Sequence, residues 1–188
     1  MVRIKRGLAG LLVAALLAFG AFALVSCGPS AEEVVREGVT KELDSLKNLD
    51  ASLVDELAAS AGVEQLADFG IDAKEFVSTY LGGFDYRIDD VTVNGDAATA
   101  TVTLTCKSFA AYTDALEAAS AELAGDESLA DLSEEELNQK LGQTIMDAIA
   151  AVPATETAPV ALTFERKDNV WTPTADAQHA LSNALFSN

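Results

Sequence analysis

The sequence predicts an α+β domain: an antiparallel sheet of about four strands, arranged as two hairpins and packed against several helices. Three observations carry that prediction. Apolar residues recur at helical spacing up to residue 81, switch to an interval of two between residues 84 and 109, and then return to helical spacing. The stretch "VNGDAATATVTLT" (93–105) joins an Asn-Gly turn signal to strict alternation. A second alternating run with a charged turn, "TFERKDNVWTPT" (163–174), closes the pattern near the end of the chain.

The N-terminus reads as a leader rather than part of that domain. Residues 1–6 carry three positive charges and no negative one, and Gly7 to Ser26 then runs without a charge. A basic n-region, an apolar h-region and a small-residue exit describe a secretory signal. At about 1.5 Å per residue the apolar run also has the length of a bilayer span. Leu24-Val25-Ser26-Cys27 decides between the two: it resembles the lipobox of bacterial lipoproteins. That resemblance implies diacylglyceryl transfer to the Cys27 thiol and signal-peptidase cleavage between Ser26 and Cys27. It implies a lipid-anchored protein on the extracytoplasmic face of a cell membrane. Residues 1–26 are then the signal peptide, 27–30 a short lipidated tether, and 31–188 a single extracytoplasmic domain.

Composition agrees with export. The second and last cysteine is Cys106, so alkylation of Cys27 leaves no pair for an intramolecular disulfide, and the domain must rest on its core. All thirty acids but only nine of the twelve bases follow Cys27, a net charge of −21 for the mature part. Such a surface repels nucleic acid and anionic headgroups, and its plain consequence is solubility.

Each element follows from its own pattern. Ser30 with Glu33 makes a capping box for a helix striped by Val35, Val39, Leu43, Leu46, Leu53 and Leu57, with Gly62 at its end. Val63, Leu66 and Phe69 predict a short apolar turn closed by Gly70. Asp72 and Glu75 open a helix that buries Phe76, Val77, Tyr80 and Leu81 and stops at Gly82-Gly83. In the first hairpin Asn94-Gly95 is expected to supply the positive φ angles of a type I′ turn. Ala98, Ala100, Val102, Leu104 and Cys106 share the packed face, and Thr99, Thr101, Thr103 and Thr105 share a face toward water or a weakly polar neighbour. Cys106 is thereby predicted buried and inert.

Phe109, Tyr112, Leu116 and Leu123 stripe the next helix, closed by Gly125, and "GDESLAD" reads as a loop. Ser133 and Glu136 cap a further helix striped by Leu137, Leu141, Ile145 and Ile149, and "PATETAP" (153–159) reads as a loop. Val160, Leu162 and Phe164 alternate, Lys167-Asp168-Asn169 turns, and Val170-Trp171 begins the return strand. Ala177, Leu181, Ala184 and Leu185 mark a terminal helix. Helices followed by a hairpin, then a strand with a charged turn and a Trp strand, resemble the cystatin-like or nuclear-transport-factor-2-like superfamily across residues 31–174. The resemblance implies helices on one face of a curved sheet; the helical stretch 109–152 departs from its simplest version. Enzymes of that superfamily set an acid, His or Tyr in a central pocket, and no motif here matches such a dyad.

Direct signals of chemistry are few. The one histidine, His179, sits on the terminal helix without a nucleophile beside it in sequence. There is no Gly-rich phosphate loop, no metal-spaced Cys/His cluster and no calcium-loop pattern, so neither cofactor nor metal is expected. Asp89-Asp90 with Asp96 could gather carboxylates, though a solvated hairpin end is the simpler reading. Tyr80, Phe84, Tyr86, Phe164 and Trp171 gather at the hairpins, as core or as the rim of an apolar groove. The favoured expectation is a non-catalytic module that binds an envelope protein or a small ligand and takes its membrane lipid through Cys27. The alternative is an enzyme with a pocket on the concave face of the sheet, using Tyr86 or Asp89.

Overall fold

The structure, a computed structural model, describes residues 22–23, 29–59 and 64–186. The fold is α+β. The strands are β1 (Phe22–Ala23), β2 (Asp85–Asn94), β3 (Ala97–Lys107), β4 (Ala154–Glu156), β5 (Val160–Lys167) and β6 (Val170–Pro173). They form one antiparallel sheet in the order β1-β6-β5-β3-β2, with β4 paired beside β5 on the same long strand β3. The helices among the described residues are α1 (Ala31–Lys47), α2 (Ala51–Ala58), α3 (Ala73–Leu81), α4 (Phe109–Ala124), α5 (Glu134–Ala151) and α6 (Ala175–Phe186).

The expected caps form. Ser30 and Ser133 each make a reciprocal capping box with the glutamate three residues on, and Asp72 accepts from the amides of Lys74 and Glu75. Two connections differ from expectation. The stripe running to Leu57 is split into α1 and α2. Asp50 N–H donates to Ser45 O and Leu49 N–H to Leu46 O, a Schellman closure with Leu49 at φ 52°, a position that usually falls to Gly. Asn48 and Asp50, whose side chains compete for backbone groups, favour an end there. Gly62 and Val63 lie outside the described residues.

The turn chemistry is also redistributed. Asn94 pairs with Ala97, so the first hairpin turns on Gly95 and Asp96, and positive φ occurs at Gly95 alone (63°). A glycine-first turn of that kind is the type II′ pattern. The type I′ pattern falls in the other hairpin, where Asp168 and Asn169 take φ of 52° and 62°. Within the supposed loops, Glu127–Asp131 winds a 3-10 turn and Ala154–Glu156 adds β4 against Thr105–Lys107.

The core lies between the helices and one face of the sheet. Val102, Leu104, Leu162 and Trp171 are fully buried there, with Val35, Val39 and Leu43 of α1 and Leu181 of α6 above them. Cys106 is buried as expected, its Sγ 3.6 Å from the carbonyl of Ala184. At about 25 cal/mol per Å² of apolar surface, this contiguous cluster is the main source of stability. The helices α4 and α5 depend on it less. Among the described side chains of α4 only Tyr112 is buried. The helix α5 is seated through Gly142, where an added Cβ would come 2.1 Å from the carbonyl oxygen of Phe69. The stripe expected on α5 is real but graded, with Ile149 fully buried and Leu137, Leu141 and Ile145 half-buried.

Candidate binding face of the sheet

The face of the sheet turned away from the helices is polar by sequence. Alternation in β3 sends Thr99, Thr101, Thr103 and Thr105 to it, and register extends the rows sideways. Thr92, Thr99 and Thr163 stand abreast on β2, β3 and β5; Asp90, Thr101 and Ala161 form the next row; Asp85, Thr105 and Glu156 form another across β4. Strand spacing of about 4.8 Å sets the three hydroxyls of the first row side by side.

A β-bulge organises the middle of this face. The register shifts between Ile88 and Asp90, leaving Asp89 as the extra residue. Its carboxylate turns to the threonine side, accepts from Thr103 Oγ1 at 2.6 Å and pairs with Arg87 Nε at 2.6 Å. Arg87 also reaches Glu156 at 3.3 Å, which ties β2 to β4. The Thr103 hydroxyl, and after it the Arg87 guanidinium, hold the Asp89 carboxyl below its usual range. Thr103 is only 5% exposed, so it is a buried member of a face expected to meet water or a weakly polar neighbour.

The other acids proposed from sequence are scattered. Asp96 pairs with Arg166 at 2.6 Å at the hairpin tip, away from Asp89, so the carboxylates do not assemble. Among the described residues no group of three or more His, Cys, Asp or Glu side chains is placed to hold a metal ion. Tyr86 and Asp89, grouped in the enzyme alternative, are separated by the sheet. Tyr86 lies opposite Leu104 on the helix side, where its hydroxyl donates to Asp44 Oδ1 at 2.7 Å. Burial, with the Asp44 carboxylate second, pushes the Tyr86 phenol up to about 12. Lys47 bridges the same corner to Asp85 at 2.7 Å and lies 6.0 Å from the Tyr86 ring centre.

Among the described residues the helix side of the sheet is closely filled. Trp171 is completely buried rather than on a rim, with Arg166 stacked over its ring at 5.4 Å. The void bounded by Leu57, Phe76, Tyr80 and Phe186 is about 10 Å³, scarcely the volume of one water, and its lining is apolar but for the Tyr80 hydroxyl, which donates to Leu185 O. His179 is exposed on α6. One buried cation escaped the sequence reading. Lys107 Nζ donates to the carbonyl of Val152, the C-cap of α5, and burial pushes its pKa down. Only the return of α5 to the end of β3 creates that contact.

The lipobox residues Leu24, Val25, Ser26 and Cys27 lie outside the described residues, and among the described residues no helix is long and apolar enough to cross a membrane. No family model matches the chain, and no curated protein matches it. Among solved structures the chain is similar to the 2.62 Å crystal structure of a candidate lipoprotein of Bacillus subtilis subsp. subtilis strain 168, YcdA, with 15% identity and a TM-score of 0.45. The match covers 84% of this chain and 47% of that one, so this chain spans about half the length of its neighbour.

Proposed function

We propose that the chain is a lipid-anchored lipoprotein on the extracytoplasmic face of a cell membrane, which binds a ligand or an envelope protein and catalyses no reaction. The observation that carries the binding role is the open sheet face: rows of threonine hydroxyls around the Arg87–Asp89–Thr103 cluster, set opposite a filled core. Groups already paired and held by a rigid sheet lose little entropy when a partner docks.

The anchor rests on Leu24-Val25-Ser26-Cys27 behind a basic, apolar leader. Cys27 takes the lipid and becomes the first mature residue. Two acyl chains hold a protein far more firmly than one. Cleavage there removes β1 and makes β6 the sheet edge; four residues long and ending in Pro173, that edge is blunted against further pairing. The two hairpins under a layer of helices fit a cystatin-like or nuclear-transport-factor-2-like lineage, with α4 and α5 as an excursion from it.

Two measurements test the reading. Cells expressing the chain, fed an alkyne-bearing palmitate, should label it, and Cys27→Ser should abolish both label and maturation. A photo-crosslinking residue at Thr101 should give covalent adducts in intact cells, whereas one at exposed His179 should not. Maturation and labelling of Cys27→Ser would overturn the anchor, and adducts from His179 alone would overturn the binding face.

A further inference from the structure

The excursion formed by α4, α5 and the turn between them has a charge and a surface of its own. Residues 109–152 contain ten acids and one base, Lys140, a net charge of −9. Glu122, Asp126 and Asp147 make no ion pair among the described residues.

Between the two helices runs an open groove of about 520 Å³. Ala115, Ala119 and Leu123 of α4 and Ala148 of α5 give it an apolar floor, and on its walls the three acids Glu122, Asp126 and Asp147 stand against one base, Lys140. Alanine floors let another backbone approach closely, as helix packing at short interaxial distance requires. The helix α4 also buries little of its own: Leu116 and Leu123 remain half-buried although they lie on its apolar stripe. The inner side of such a helix is held by Tyr112, Phe109 and Leu116 against the core, and its groove side gains further packing only when a third element covers it.

We propose that this groove docks an amphipathic helix of a partner protein, apolar on one face and flanked by Lys or Arg. The charge selects that occupant. A second copy of this chain would bring −9 against −9, and an acidic or neutral helix would leave Glu122 and Asp147 unpaired at the rim. A helix with basic flanks satisfies both walls while its apolar face covers the floor. This surface is separate from the threonine face, so either can fail alone.

The test uses the full chain in nanodiscs of zwitterionic phosphatidylcholine. The probe is a fluorescent helical peptide of about four turns, Ala and Leu on one face and Lys on the other. Binding above empty nanodiscs is expected. Doubly reversing Glu122→Lys and Asp147→Lys should weaken it at least tenfold and allow binding of the same peptide with Glu for Lys. Both side chains are exposed, so this variant keeps its fold, as an unchanged circular-dichroism melt would verify. Ala119→Trp, which fills the floor, should weaken binding similarly, and Thr101→Arg on the sheet face should not. Equal binding by the reversed variant, equal weakening by Thr101→Arg, no binding above empty discs, or self-association abolished by Ala119→Trp would each overturn the proposal.

Discussion

Thr103 is the residue on which the two sides of the sheet meet. Its neighbours Val102 and Leu104 face the helices, while its own hydroxyl is turned to Asp89 and closed off from water. Leu104→Ala should cost about 2–5 kcal/mol in urea unfolding, the range for a buried leucine whose site cannot collapse. Thr103→Ala should cost about 1–2 kcal/mol, more than an exposed threonine would, because a buried donor to a carboxylate is lost. A cost near zero at Thr103 would mean that Asp89 finds water instead. The same variant should raise the Asp89 titration toward the ordinary carboxylate value, read by carboxyl NMR, since Thr103 is the chief cause of its depression. Cys106 offers an independent check: alkylation should proceed in denaturant and stall under native conditions, because its sulfur is covered by α6. Rapid native labelling would place that sulfur at the surface.

At the scale of elements, the seat of α5 is the most sensitive joint. Gly142 touches the Phe69 carbonyl so closely that any Cβ forces the helix away. Gly142→Ala would gain about 1 kcal/mol of helix propensity in isolation. Here it should destabilise by about 1–3 kcal/mol through overpacking against backbone. A stabilised variant would show that α5 shifts freely. The helix caps are legible from sequence because Ser-x-x-Glu acts within one turn and needs nothing distant, and both boxes form. The hairpin turns were less legible. Asn94-Gly95 carries the residue types of a type I′ turn, yet register places Asn94 in the ladder, and register is decided by which faces of β2 and β3 reach the core. The strand β4 was invisible for a related reason: three residues hold no period, and they pair only because β3 outruns β5.

At the scale of the molecule, electrostatics governs the response to pH and salt. Asp89 is held down by Thr103 and Arg87, Asp85 by Lys47, and Glu33 and Glu136 by their capping serines. A carboxyl with a depressed folded pKa stabilises the fold above its unfolded value and loses that contribution as pH falls through the folded one. Stability should therefore be nearly level from neutral pH down to about pH 5 and fall below about pH 4, in acid titrations followed by circular dichroism. A fall beginning near pH 6 would point instead to a histidine or a buried acid. With a net charge of −18, self-repulsion outweighs the few exposed ion pairs, so the melting temperature should rise from low salt to about 0.5 M sodium chloride. A falling melting temperature would assign the ion pairs more weight than exposed pairs normally carry.

Residue order alone determined the class, the helix caps, the two hairpins and the packed face of β3, because each depends on contacts within a turn or on a period of two or 3.6. Tertiary structure alone decided that the bulge at Asp89 meets Thr103, and that Lys107 ends under Val152. It also decided that α4 and α5 enclose a groove. The reason is common to all three. Each joins groups that are 14 to 45 residues apart, and no local pattern encodes which distant surface a side chain will meet.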